Sequence, residues 1–189
     1  MIIYLHGFNS APSSQKAQAM SRYLCERGLG HEFECPALPH CPAEAIGLIE
    51  GMPAMKDPRA VTFVGSSLGG YYATWLAEKH AARAILIQPA VFPHVGLDKY
   101  LGVQKNLYTG AEYNLTPEHL AGWRELFVEK VESERYLLFL ETGDEVLDYR
   151  DAVAKYEGAR MVIRQGGDHM LQSFPEHLPR MLEFAGLSG

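Results

Sequence analysis

The chain has 189 residues, 47% of them hydrophobic and 21% charged, which is the composition of a soluble globular protein and excludes a disordered one. A chain of this length buries roughly 70% of the surface it would expose unfolded, so one ordinary core and a single domain over residues 1–189 are expected. The formal net charge of −6 and the lack of any Lys/Arg cluster argue against nucleic acid and against anionic membrane surfaces, since both demand a concentrated basic face.

Short apolar or β-branched runs at Ile2–Leu5, His31–Cys35, Val61–Val64, Ala84–Ile87, Tyr136–Leu140 and Met161–Ile163 predict strands. Between them, helices are predicted near Ser14–Arg27, Pro42–Met52, Leu68–His80, Pro117–Val131, Tyr149–Tyr156 and Leu171–Phe184. Thr116–Pro117 suits an N-cap followed by Pro at the first helical position, where a missing amide hydrogen costs nothing. The runs are continuous rather than alternating, which indicates a mostly parallel sheet of about six strands covered on both faces by crossover helices, a three-layer α/β sandwich. The rhythm breaks at about 89–114, where Pro and Gly mingle with Phe92, Tyr100, Tyr108 and Tyr113. That stretch reads as an irregular insertion serving as lid or pocket wall.

Cys25, Cys35 and Cys41 are odd in number and lack CxxC spacing, so reduced thiols of a cytoplasmic protein are expected rather than zinc ligands. The start Met-Ile-Ile-Tyr-Leu-His has neither a basic n-region nor an adequate apolar h-region, so neither export nor a membrane span is expected.

The chemistry-bearing pattern is Gly65-Ser66-Ser67-Leu68-Gly69. Taken alone a GxSxG match is weak, but here a predicted strand precedes it and a predicted helix follows. A serine on so sharp a turn must adopt strained backbone angles, with the flanking glycines removing Cβ atoms that would collide. A dinucleotide fingerprint would need glycine where Ser67 stands, and a phosphate loop would end in Gly-Lys-Ser/Thr. The blander role for Ser67 is a helix cap.

A serine nucleophile needs a base and a residue that orients it. In this class of turn the order is Ser, then Asp/Glu, then His. Among eight histidines, His169 in Gly166-Gly167-Asp168-His169-Met170 fits best, lying after the last predicted strand on the same carboxyl edge as Ser67. For the acid, Asp144 is favoured over Glu141, Glu145 and Asp148, because Gly143 permits a tight turn before it, whereas Asp148 suits an N-cap. The second oxyanion donor is expected in the turn His6-Gly7-Phe8-Asn9-Ser10, so that the backbone amides of Phe8 and Leu68 hold the tetrahedral oxygen together. Asn9 and Ser10 are expected at the mouth of the site.

Together, His6-Gly7-Phe8, Gly65-x-Ser67-x-Gly69, Gly143-Asp144-Glu145-Val146 and Gly167-Asp168-His169 resemble the α/β-hydrolase superfamily, and most closely its small YqiA-type bacterial esterases. The resemblance spans nearly the whole chain. It implies a compact α/β-hydrolase fold with a trimmed sheet, Ser67, Asp144 and His169 as the triad, and Phe8 and Leu68 as oxyanion amides. The expected activity is hydrolysis of a small-molecule acyl ester or thioester, acyl-CoA included, with no cofactor and no metal. The alternatives are a peptidase or acyltransferase using the same triad, and a non-catalytic binding protein that has kept the fold.

Overall fold

The computed structural model describes residues 1–187. In chain order its elements are β1 (Ile2–Leu5), α1 (Gln15–Cys25), β2 (Phe33–Glu34), α2 (Pro42–Glu50), β3 (Thr62–Ser66), α3 (Leu68–His80), β4 (Arg83–Ile87), α4 (Pro93–Gly96), β5 (Gly102–Lys105), β6 (Glu112–Leu115), α5 (Pro117–Glu125), β7 (Tyr136–Glu141), α6 (Tyr149–Lys155), β8 (Arg160–Arg164) and α7 (Phe174–Ala185). Six strands form one sheet in the order β2-β1-β3-β4-β7-β8, and every pair in it is parallel.

Alternate residues of the central strands serve opposite faces, which is why their sequences show no polar alternation. Ile3, Leu5, Phe63, Leu86, Leu138 and Leu140 pack in a cluster with residues of α2, α3 and α5. Ile2, Tyr4, Val64, Ile85, Leu137 and Phe139 pack with α1 and α7. Among the described residues no helix is long and apolar enough to cross a membrane.

The differences from the sequence expectation lie at ends and in the insertion. β2 shrinks to two residues because Gly30–Glu32 closes into a 3₁₀ turn. α5 stops at Glu125, short of Val131, and the chain beyond it is tied down where the Lys155 ammonium donates to the carbonyls of Val128 and Glu129. α7 starts at Phe174 rather than Leu171, because Leu171 takes φ 51°, outside the right-handed helical region. Residues 89–114 are more regular than expected. They contain the short helix α4 and the antiparallel hairpin β5–β6, which stands apart from the main sheet.

Parallel pairing brings the carboxyl ends of the central strands to one edge: Gly65 pairs with Leu5 on one side and Leu86 on the other, and Glu141 pairs with Arg164. Loops leaving this edge, together with the first residue of α3, carry every residue expected to do chemistry. Leu138 lies fully buried in the middle of β7, so Leu138→Ala should cost about 2–5 kcal/mol of unfolding free energy in urea denaturation. A loss below about 1 kcal/mol would contradict a close-packed strand at that position.

Candidate active site

Ser67 connects β3 to α3 at φ 54°, ψ −119°. A side chain in that region costs on the order of 1–3 kcal/mol, and it persists only where the surroundings over-determine it. Three backbone hydrogen bonds do so: the Ser67 amide donates to the Ile87 carbonyl at 3.0 Å, and the Ser67 carbonyl accepts from Gly70 at 2.9 Å and from Ala90 at 3.0 Å. The flanking glycines are required by close approach. A Cβ on Gly65 would lie 2.6 Å from the Gly70 Cα, and one on Gly69 would collide with the Leu5 carbonyl. The turn after β1 presses on the same elbow, since a Cβ on Gly7 would lie 3.2 Å from that of Ser67.

His169 lies on the turn between β8 and α7. Its Nδ1 meets the Asp144 carboxylate at 2.8 Å to Oδ2 and 3.0 Å to Oδ1. The Asp144 side chain is 1% exposed and that of His169 18%. Asp144 is itself held from behind, because Oδ1 also accepts the amides of Val146 and Leu147, both at 2.9 Å. The other carboxylates of this region have different partners. Asp148 accepts the Arg150 amide at 3.0 Å and caps α6, Glu145 accepts the His169 amide at 3.0 Å, and Glu141 accepts the Asp168 amide at 2.9 Å and the Ser173 hydroxyl at 2.7 Å.

Gln88 is a structural partner that the sequence analysis did not single out. It is 2% exposed and takes φ 44°. Its carboxamide donates to the Asp168 carbonyl and accepts the Glu141 amide, each at 3.1 Å, so it joins the end of β4 to the end of β7 and to the loop after β8. The available signal was a polar residue closing the apolar run Ala84–Ile87 just before Pro89.

Ser67 and His169 line the same two cavities. Among the described residues no hydrogen bond joins the serine hydroxyl to the imidazole, a link that often tightens only when substrate binds. One cavity, of about 450 Å³, is walled by Leu68, Val91, Phe92, Leu97, Tyr100 and Leu147. The other, of about 180 Å³, reaches toward the start of α1. Phe8 borders both, and among the described residues neither its amide nor that of Leu68 has a backbone acceptor. Asn9 and Ser10 line the smaller cavity and also hold the hairpin: Asn9 accepts the Tyr113 hydroxyl at 2.7 Å, and the Ser10 carbonyl accepts from the Asn106 side chain at 2.7 Å. No group of three or more His, Cys, Asp or Glu side chains with metal-binding geometry occurs among the described residues.

This architecture, with a serine on a strained β3–α3 elbow and a carboxylate-bound histidine after the last strand, is that of an α/β-hydrolase fold. Est1E from Butyrivibrio proteoclasticus, solved with ferulic acid bound, superposes with a TM-score of 0.69 at 17% identity over 97% of this chain and 85% of its own. Mouse alpha/beta hydrolase domain-containing protein 10 does so with 0.70 at 15% over 96% and 87%. A monoacylglycerol lipase of Paleococcus ferrophilus gives 0.68 at 14% over 99% and 94%. Identities this low establish the shared fold. Residues 1–186 match the family described as Uncharacterised protein family (UPF0227), and the chain belongs to that family.

His6 is a strut of this site. It is 6% exposed, its Nε2 accepts the Leu38 amide at 3.0 Å and its Nδ1 lies 3.1 Å from the Gly7 carbonyl, an arrangement that requires neutral imidazole with the proton on Nδ1. Burial lowers its pKa below the usual 6.5, so the unfolded chain binds a proton more readily. Its contribution to stability is therefore complete above about pH 6.5 and is lost as pH falls toward the depressed folded value. Urea denaturation at pH 7.5 and 5.5 should show wild type losing stability on acidification, and His6→Gln losing less. An equal loss in both proteins would show that His6 does not carry the effect.

Proposed function

We propose that this protein is a serine hydrolase that cleaves carboxylic acyl esters or thioesters through Ser67, Asp144 and His169. The observation that carries the reading is the His169–Asp144 hydrogen bond at 2.8 Å, made by a histidine that borders both cavities shared with the strained Ser67. A carboxylate bound to Nδ1 directs the free electron pair to Nε2, the tautomer a general base needs.

In the proposed reaction His169 Nε2 takes the Ser67 proton as Oγ attacks the acyl carbonyl. The amides of Phe8 and Leu68 hold the oxyanion, aided by the positive end of α3. The tetrahedral intermediate collapses, the alcohol or thiol leaves with the proton from His169, and water repeats the sequence on the acyl-enzyme. Asp144 keeps the ring oriented and offsets the imidazolium charge. These steps use side chains and backbone amides alone.

Support for an acyl substrate comes from the 450 Å³ cavity, where Leu68, Val91, Phe92, Leu97, Tyr100 and Leu147 form an apolar stretch beside Lys99, Asp148 and Asp151, and whose volume suits a small molecule. Residues 92–100 of the insertion furnish part of that wall. The Paleococcus ferrophilus monoacylglycerol lipase, which shares the fold, is named for acting on an ester, which favours esters over peptides.

Ser67→Ala should lower kcat/KM for nitrophenyl butanoate by about 10³-fold or more, and Asp144→Asn by about 10³- to 10⁴-fold. Wild type and Ser67→Ala hydrolysing at equal rates would sink the proposal. A chain-length series of nitrophenyl esters beside the matching thioesters reads the acyl cavity and the leaving-group preference directly.

A further inference from the structure

The smaller, 180 Å³ cavity has chemical features that hydrolysis of a neutral ester does not use. Its lining includes Tyr4, Ser14, Gln15, Lys16 and Met170 together with Ser67 and His169. Lys16 is partly buried, and its ammonium donates to the Met170 carbonyl at 2.9 Å, leaving two further N–H donors. Burial lowers its pKa, against the opposing pull of Asp168, Asp144 and Glu141. Among the described residues none of these carboxylates pairs with Lys16, and each is committed elsewhere. Asp168 accepts the Met170 amide and the Gln172 side chain, Asp144 accepts His169 and two amides, and Glu141 accepts the Asp168 amide and the Ser173 hydroxyl.

Two further observations point the same way. Ser14 precedes the eleven-residue α1 without capping it, and the first turn contains no acidic residue. The amides of Gln15 and Lys16 therefore keep the free donors and partial positive charge of a helix start. Tyr4 is fully buried, yet its hydroxyl lies beside the Ser66 side chain without completing a hydrogen bond to it or to any other described residue. Buried polar groups in native proteins are almost always partnered, so an orphan hydroxyl bordering a cavity points to a ligand atom.

We propose that this cavity is an anion subsite that takes a carboxylate or phosphate carried on the leaving group of the ester, with Lys16 as counter-ion and the α1 amides and Tyr4 hydroxyl as donors. The proposal rests on the hydrolase reading of Ser67 and His169. Division of the substrate follows from chemistry: the larger cavity, through its apolar stretch from Leu68, Val91, Phe92 and Leu97, takes the acyl part, and the one that holds Lys16 takes the alcohol part. Attack by Ser67 Oγ forms the acyl-enzyme C–O bond and breaks the substrate's. The proton removed from Ser67 passes through His169 to the departing oxygen, so the first product is a hydroxy-carboxylate or a hydroxyl-bearing phosphate ester.

Three butanoate esters test this on the full chain: 3-carboxyphenyl, 3-(phosphonooxy)phenyl and, as the neutral reference, 3-carbamoylphenyl. Wild type should favour one of the anionic esters over the neutral one by about ten- to a hundredfold in kcat/KM, mostly through KM. The better of the two identifies the anion. Lys16→Met should bring the ratio close to one, and Lys16→Arg should retain part of it. A Lys16 that only anchored the Met170 carbonyl would lower all three rates together and leave the ratio unchanged. Turnover of all three esters at equal efficiency by wild type, or a preference that survives Lys16→Met, would overturn the subsite while leaving the hydrolase standing. Turnover of none would remove the hydrolase reading and the subsite with it.

Discussion

At φ 54°, ψ −119° the Ser67 backbone occupies a conformation that an L-residue avoids, and much of the surrounding architecture can be traced to keeping it there. β4 supplies the acceptor for its amide, and the segment after β4 donates to its carbonyl. Gly69 lets α3 approach the end of β1 closely enough that any side chain would strike the Leu5 carbonyl. The same contacts hold the turn after β1 against the serine, so the geometry of the elbow and the position of the Phe8 amide are one constraint. Three adjacent parallel strands, β1, β3 and β4, must be in register for it to be satisfied.

The opposite wall of the site is assembled differently, by side chains that bind backbone. Glu141 is 2% exposed and accepts the Asp168 amide, Gln88 bridges the Asp168 carbonyl and the Glu141 amide, and Asp144 and Glu145 receive the ring and the amide of His169. A loop held by so many polar contacts in a partly buried setting has few alternative arrangements, since a half-satisfied buried network is costly. The histidine is therefore oriented by the folded ends of β7 and β8 before any ligand arrives. The β5–β6 hairpin is joined to the site at its other rim, through Asn9 and the Ser10 carbonyl.

Much of this was legible in the sequence because it depends on local rules. Val61–Val64 before the Gly65–Gly69 turn and Leu68–His80 after it mark a strand and a helix by composition, and two glycines flanking a serine state the steric problem of the elbow directly. Gly143-Asp144 and Gly166-Gly167 mark turns beyond predicted strands, which is enough to bring an acid and a histidine to one edge of a parallel sheet. The helix ends were less legible. α5 ends six residues early and the segment after it is tied to α6 by Lys155, and the turn carrying His169 continues to Ser173 because Leu171 leaves the helical region. The hairpin in residues 89–114 was obscured by aromatic and glycine content that reads as irregular.

By itself, then, the sequence determined the parallel α/β layering, the serine elbow and the order of the three side chains proposed for the chemistry, because hydrophobic period, glycine sterics and turn composition act over a few neighbouring residues. Tertiary structure alone decided which carboxylate meets His169, the bridging part played by Gln88, and the meeting of Tyr4 and Lys16 at one cavity. Those outcomes depend on distances between segments far apart in the chain, and they are set only when the sheet register and the packing of both helical layers fix where each side chain can reach.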